Sequence, residues 1–301
     1  MASCRIDYAL PVSETLDLRS PAAVIEVFDE AAVALRHSAV RDRSTVRLPA
    51  HGRLLATGDL HDNPAHLAKI VRLAKLDQSD DHHVALHEVI HGDKLVNGLD
   101  FSYRSLARVA ELVIMFPGQV HVLLANHELA QLTGKGVSKG AGNSVEMFNE
   151  GLEFVFRDDW SEVLGAIQRF IAAMALALVS ESGVLCAHSL PSPLMLKKFD
   201  TGVLTRNLAA DDYIAPHGAA HLMVWGRGHT SGSVEELARA WDVKLFILGH
   251  EHVETGIEIK GPKLVLLNSD HERGCVLPID LADVPGADEA MLHVVPLAAV
   301  G

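Results

Sequence analysis

The chain has few cysteines and a minority of basic residues, and each shortage disfavours a class of protein. Cys4, Cys186 and Cys275 are far apart and odd in number, which predicts neither a disulfide framework nor a thiolate zinc site. Lys and Arg number 26 against 39 Asp and Glu, a formal net charge of −13. This balance disfavours nucleic-acid or anionic-membrane binding, because both depend on clustered Lys and Arg.

The chain also has no long apolar run, and its first residues do not predict a leader segment. The longest apolar run, Phe170–Val179, has ten residues, whereas a membrane-spanning helix needs about 20. We therefore expect a buried helix there and no membrane association. The N-terminus MASCRIDYALP has no basic region followed by an apolar stretch, so a secretory signal is not evident. Cytoplasmic localisation with reduced thiols is the expectation.

The remaining composition fits one large domain of 301 residues with 49% hydrophobic content. We predict an N-terminal helical extension over residues 1–50 and a main domain over residues 51–301. Ser20 and Pro21 begin a helix with apolar residues at helical spacing, and the polar stretch Arg41–Arg47 is expected to be a connector. Units of strand, loop and helix come first and strands dominate later, which favours an α/β fold, a two-sheet sandwich flanked by helices.

Polar motifs follow several of the predicted strands. They are GDLHDN from Gly58, HGD from His91, ANHE from Ala125 and LGHEH from Leu248, and His188 follows the strand-like GVLCA. Strand ends are where α/β folds place their ligands. Each motif alone has an ordinary explanation, such as a helix cap or a core histidine. The ordered set instead predicts a site.

The side chains of this set suit metal ions. Asp59 and His61 are separated by one residue, so in an extended segment both point the same way and can share one ion. Asp93 has two oxygens that can bridge two ions, and Asn126, His188 and His250 complete a second site. Oxygen and nitrogen donors favour Mn, Fe, Zn, Co or Ni over copper(I) or iron–sulfur clusters.

These motifs resemble those of the calcineurin-like metallophosphoesterases, in order most similar to the phosphoprotein phosphatase branch. GDLHDN, HGDKLVNG, LLANHE, LCAHSLPSP and LGHEHVETG correspond to its five motifs, within about Arg53–Asp280. The resemblance implies two metal ions (Mn, Fe or Zn), a metal-activated water and His127 as the proton donor to the leaving oxygen. Ligands by the same resemblance are Asp59, His61, Asp93, Asn126, His188 and His250.

Several positions depart from the branch. Its second motif has an Asp that orients the catalytic His and an Arg that grips phosphate, where this chain has Val96 and Asn97. Arg227 in WGRG resembles a second phosphate-binding arginine, although a surface arginine is an equal explanation. His252 matches a metal ligand of other metallophosphoesterases and is included as a candidate. These differences concern substrate contacts more than metal ligands.

The first functional hypothesis is therefore a dinuclear-metal phosphoesterase acting on a phosphorylated small molecule or protein, with a phosphomonoester preferred. A variant is hydrolysis of a dinucleotide polyphosphate or a phosphodiester. A hypothesis from a non-enzymatic class is an inactive binding or scaffold protein on the same fold. Val96 and Asn97 favour this hypothesis, whereas the complete ligand set opposes it. A single structural zinc fits poorly, because such sites are four-coordinate and usually contain cysteine.

Overall fold

The computed structural model describes residues 16–136, 138–139 and 142–301, so the prediction for Cys4 lies outside the described residues. The helices are α1 (Pro21–His37), α2 (Pro64–Ala74), α3 (Tyr103–Met115), α4 (Asn126–Thr133), α5 (Ser144–Phe156), α6 (Trp160–Ile171), α7 (Ala219–Trp225), α8 (Ser231–Trp241) and α9 (Ala287–Ala290). The strands are β1 (Arg41–Asp42), β2 (Thr45–Leu48), β3 (Arg53–Asp59), β4 (His82–His87), β5 (Val120–Leu123), β6 (Ser138–Lys139), β7 (Gly142–Asn143), β8 (Ala177–Ser180), β9 (Val184–Ala187), β10 (Leu245–Leu248), β11 (Ile257–Ile259), β12 (Leu264–Leu267), β13 (Cys275–Asp280) and β14 (Val295–Pro296).

Two mixed sheets flanked by helices form the fold. The larger sheet has the order β1-β2-β8-β9-β10-β12-β11, and β9, β10 and β12 run parallel within it. The smaller sheet has the order β14-β13-β3-β4-β5, with β3, β4 and β5 parallel. This architecture confirms the predicted α/β sandwich. None of the described helices is long and apolar enough to cross a membrane.

Alternation along the strands builds the core in layers. Leu54 and Ala56 of β3 face the cluster between the two sheets, whereas Leu55 between them joins the cluster under the helices. The same alternation separates Ile247 from Phe246 in β10. Successive side chains of a strand point to opposite faces, so each central strand contributes to both apolar layers. Burial on both faces explains why these strands are almost continuously apolar.

The N-terminal helix begins where the sequence predicts. Ser20 Oγ accepts a hydrogen bond from the Ala23 backbone N–H, and Pro21 occupies the first helical turn. The buried face of α1 includes Phe28, whose ring lies 5.5 Å from that of Phe170 in α6. α1 thus packs against α6 in the helical layer.

Two local predictions are wrong. The stretch Arg41–Arg47, expected as a connector, forms β1 and most of β2, and β2 pairs in parallel with β8. The run Phe170–Val179 is not one helix, because α6 ends at Ile171 and β8 begins at Ala177. A short apolar run buried on all sides has no periodicity that separates helix from strand. The domain boundary at residue 50 stays a prediction.

The two sheets come together at the carboxyl end of β3. Asp59 forms an isolated parallel bridge with Asn268, and the Ser269 backbone N–H donates to the Asp59 carbonyl at 3.0 Å. Gly58 makes this approach possible, since a Cβ on it would lie 1.9 Å from the Leu267 carbonyl oxygen. Strands of both sheets therefore end at one edge, where the polar motifs meet.

Candidate metal centre

The candidate centre lies where five strands of the two sheets end. β3 ends at Asp59, β4 at His87 and β5 three residues before Asn126, all from the smaller sheet. His188 follows β9, and His250 follows β10, both from the larger sheet. Parallel strands bring their carboxyl ends to the same edge, so side chains distant in sequence converge there.

One group of potential ligands consists of Asp59, His87 and His188, all buried, with one donor atom of each within 4.8 Å of the others. His188 Nδ1 lies 3.4 Å from Asp59 Oδ1. The backbone N–H of His250 donates to both carboxylate oxygens of Asp59, at 3.0 and 2.9 Å. These hydrogen bonds fix the orientation of the carboxylate relative to the histidines.

A second group consists of His61, Glu88 and His127, again within 4.8 Å of one another. Glu88 Oε2 lies 3.4 Å from His61 Nε2, and Glu88 Oε1 lies 3.7 Å from His127 Nε2. Glu88 Oε2 is also 3.7 Å from His188 Nε2 in the first group. The buried Glu88 carboxylate therefore lies between the two groups.

Asn126 and His250 adjoin the first group. Asn126 Oδ1 lies 2.6 Å from His188 Nε2 and 2.9 Å from His250 Nδ1, and the two ring nitrogens are 3.0 Å apart. Among the described residues, both ring nitrogens of His87 and His250 Nε2 are buried without a hydrogen-bond partner. Buried polar atoms ordinarily have partners, and neutral imidazole nitrogens with amide and carboxylate oxygens are the donors that first-row metal ions bind. The residues present thus fit metal ions.

Burial keeps the imidazoles of His87 and His250 in the neutral form. It lowers the pKa of His87 to about 3, with the nearby His188 adding to the effect. Burial also lowers the pKa of His250 to about 2, again reinforced by His188 and then by Arg227. Burial alone would raise the pKa of Asp59, but attraction and hydrogen bonding to His188 hold it below its usual range. Neutral histidines beside an ionised carboxylate are the protonation states that metal binding requires.

Unusual backbone conformations are concentrated at this edge. His61, Asp62, Glu88, His91 and His250 all have positive φ, between 39° and 69°. Non-glycine residues adopt this region rarely and at a cost, and such residues accumulate at functional sites where the surrounding structure holds them. The turn after β3 therefore requires positive φ at His61 and Asp62.

A buried His–Asp pair lies beside the second group. His91 Nδ1 donates to Asp100 Oδ2 at 2.7 Å, and Asp100 Oδ1 accepts from the Ser102 backbone N–H at 2.7 Å. The His91 ring is 5.2 Å from the His127 ring in an edge-to-face arrangement, and 5.3 Å from Phe148. The Asp100 contact fixes which nitrogen of His91 carries its proton and how the ring faces His127.

Glu128 supports the loop that carries Glu88. Its Oε1 accepts from the backbone N–H groups of Val89 and Ile90, at 2.8 and 3.2 Å. Burial raises the pKa of Glu128 to about 7 even though these backbone hydrogen bonds act in the opposite direction. The last residue of the ANHE motif thereby connects the start of α4 to the turn after β4.

The remaining predicted residues lie apart from the two groups. Asp93 is exposed and, within the part of the chain that the structure describes, belongs to neither group. His252 is likewise exposed, with its ring 5.5 Å from that of His271. Arg227 is exposed at the rim, where its Nη1 donates to the His250 carbonyl at 3.1 Å. Glu88, rather than Asp93, lies where a ligand shared by both groups would be expected.

Comparison with known proteins identifies the family of this chain. The family model for calcineurin-like phosphoesterases matches residues 52–254, more than half of the chain. This chain belongs to the calcineurin-like phosphoesterase family. The comparison with curated protein sequences gives no significant match.

Solved structures show the same fold for this phosphoesterase-family chain. A protein serine/threonine phosphatase from Saccharomyces cerevisiae with similarity to human phosphatase PP5 aligns with a TM-score of 0.62 and 15% identity, covering 87% of this chain and 83% of that one. A cold-active protein-tyrosine phosphatase from a Shewanella species aligns with a TM-score of 0.52 and 15% identity, covering 79% and 78%. At such identity the likeness concerns the fold alone.

Sequence reasoning missed four residues of this calcineurin-like centre, namely His87, Glu88, His91 and Asp100. β4 ends at His87, so His87 and Glu88 lie at the strand end, before the HGD motif that the sequence pattern favours. The sequence pattern instead favours Asp93, in the neighbouring HGD motif, as the bridging ligand. A useful signal was the pair His87-Glu88 itself, because adjacent titratable residues are unusual inside a strand buried on both faces.

Proposed function

We propose that this chain is a dinuclear-metal-dependent phosphoesterase that hydrolyses a phosphomonoester. The observation that carries the proposal is the buried carboxylate of Glu88 between two groups of potential ligands, 3.4 Å from His61 and 3.7 Å from His188. An arrangement of two adjacent groups sharing one carboxylate suits a two-metal site. Family membership and the phosphatase folds of the neighbours support the same reaction class.

The residues divide into holders of two ions and a proton donor. Asp59, His87 and His188, completed by Asn126 and His250, would hold one ion, whereas His61 and Glu88 would hold the other. Glu88 would take the bridging role in place of Asp93, since its side chain is buried between the groups while Asp93 is exposed. When bound, two such ions activate water near neutral pH and neutralise phosphate charge.

His127 is the proposed proton donor to the leaving oxygen. It lies at the first turn of α4 and its Nε2 is 3.7 Å from Glu88, at the edge of the second group. An imidazole suits proton transfer near neutral pH. His91, held by Asp100, positions the His127 ring in the role that the resemblance placed at Val96. Arg227 is the proposed phosphate contact, because its guanidinium lies beside the backbone of the ligand His250.

The first test is metal content measured together with Mn²⁺-dependent hydrolysis of p-nitrophenyl phosphate and of bis(p-nitrophenyl) phosphate. We expect about two ions per chain, turnover on the monoester, and slower turnover on the diester. Preference for the diester would replace the monoesterase by the phosphodiester or dinucleotide alternative. Two ions without turnover on either ester would favour the scaffold alternative. Failure to bind Mn²⁺ would overturn the proposal.

A further inference from the structure

A cavity of about 270 Å³ lies between α4 and α7, beside the candidate metal centre. Its lining includes small, aromatic and cationic side chains: Ala130, Thr133, Lys135, Tyr213, His221 and Trp225. The rings of His221 and Trp225, one helical turn apart on α7, lie 6.0 Å from each other at an interplanar angle of 31°. Three ring-bearing residues thus line a space suited to a single aromatic ring.

α4 contributes residues both to the metal centre and to the cavity lining. Asn126, Ala130 and Thr133 occupy one face of this helix, because residues four and three apart lie above one another. Asn126 contacts His188 and His250 at the first turn, and Ala130 and Thr133 line the cavity along the following turns. At about 1.5 Å per residue, the lining starts within roughly 10 Å of the ligands.

Trp225 joins the two sites on the opposite wall. Its ring lies 6.0 Å from the His250 ring and nearly perpendicular to it, at 87°. The same Trp225 lines the cavity, and Arg227 follows two residues later with its contact to the His250 carbonyl. A phosphate at the metal centre would therefore direct its ester substituent along α4 toward the aromatic side chains.

The charge of the lining favours an aromatic group that carries an additional anion. Lys135 is exposed at the rim and contributes a positive charge in a chain of net charge −13. Burial and then the charge of Lys135 lower the pKa of His221, so that its ring is neutral and suited to stacking. No carboxylate is among the residues that line the cavity in the described part of the chain.

We propose that this cavity binds the aromatic leaving group of an aryl phosphate monoester. The inference rests on the proposed function and names its substrate class. Water adds to phosphorus as the bond from phosphorus to the phenolic oxygen breaks, and that oxygen takes a proton from His127, which gives a phenol and inorganic phosphate. The phenolic group belongs to a small aryl phosphate or to a phosphotyrosine side chain, which share this chemistry.

A binding measurement separates the cavity from the hydrolysis. Calorimetric titration of the Mn²⁺-supplemented protein should give about tenfold tighter binding of phenylphosphonate than of methylphosphonate, since only the former reaches the rings. His221→Leu and Trp225→Leu should each remove most of this ratio. Metal content is measured for both variants, because Trp225 contacts His250 and His221 does not share that contact.

Kinetics then test the cavity in turnover. The KM for phenyl phosphate should lie about tenfold below that for an alkyl ester such as glycerol phosphate, and His221→Leu should raise only the former. Lys135→Glu should raise the KM for 4-carboxyphenyl phosphate more than that for phenyl phosphate. Lys244→Glu is the matched control, because this exposed lysine precedes β10 at the opposite end of the strand from His250.

Comparison of a phosphotyrosine peptide with free phenyl phosphate distinguishes the two sources of the phenolic group. Hydrolysis of aryl and alkyl esters with equal KM, or no preference for phenylphosphonate, would overturn the proposed aryl binding in the cavity. The proposed phosphoesterase function would be unaffected. If no ester is hydrolysed, the proposed function fails, yet selective phenylphosphonate binding that is lost in His221→Leu would still support the cavity. A His221→Leu variant with an unchanged ratio would contradict it.

Discussion

The imidazole of His91 donates a 2.7 Å hydrogen bond to the carboxylate of Asp100, and both side chains are buried. The same ring lies edge-to-face with His127, 5.2 Å away. A carboxylate that holds one imidazole against another is a means of fixing orientation without contacting substrate. A substitution at Asp100 therefore tests the role of His127 without changing His127 itself.

Asp100→Asn should lower kcat by about tenfold with little change in KM, because the amide no longer fixes the proton on His91 Nδ1. The pH profile of kcat should shift as well, which a purely structural loss would not cause. Asp158→Asn is the control, because this exposed carboxylate lies between α5 and α6 and away from the two groups. A positioning role would be contradicted if Asp100→Asn lowers both kcat and the free energy of unfolding but leaves the pH profile of kcat unshifted.

Glu88→Gln should reduce the occupancy of both metal ions, since this carboxylate lies between the two groups of ligands. Asp93→Asn is the matched control, because Asp93 is an exposed carboxylate five residues later. Metal content of chelator-free protein measures both variants. If Asp93→Asn loses metal and Glu88→Gln retains it, the original assignment of the bridging residue is correct.

His127→Asn should keep the metal content and lower turnover by roughly 10²–10⁴, the range for general acid catalysis. The loss should be smaller for esters whose leaving groups are strong acids, because those need no proton. Simultaneous loss of metal from His127→Asn would identify His127 as a ligand rather than the donor.

Glu128→Gln should change how stability depends on pH in metal-free protein. Burial raises the folded-state pKa of Glu128 from 4.5 to about 7. The folded state therefore holds a proton that the unfolded state releases, so this group's contribution is present below pH 4.5 and is lost as pH rises to about 7. The full effect is about 3 kcal/mol. Gln still accepts from Val89 and Ile90 but does not ionise.

Urea unfolding at pH 5 and pH 8, in the presence of a chelator, measures this difference. Wild-type protein should lose more free energy of unfolding between the two values than Glu128→Gln does. A parallel pH dependence in both proteins would mean that Glu128 titrates near its ordinary pKa when folded.

Much of this arrangement follows from patterns that are local in sequence. The sandwich follows from the order of elements. Six predicted site residues come together because each lies near a strand end, namely Asp59, His61, Asn126, His127, His188 and His250. Glu88 and Asp93 could not be separated by sequence alone, since both follow the same apolar run and only the observed end of β4 decides between them. The role of Asp100 could not be predicted from sequence for another reason, because its contact with His91 depends on the fold of the intervening loop.

The close approach of Gly58 to Leu267 joins the two sheets at the point where the ligands converge. Asp59 and His87 come from one sheet, while His188 and His250 come from the other, so neither sheet alone carries a complete set of donors. Metal binding should therefore act as a clamp across the sandwich, available only after its halves have docked. A metal ion bound there stabilises the assembled sandwich over any separated half, and its affinity becomes a reporter of sheet docking.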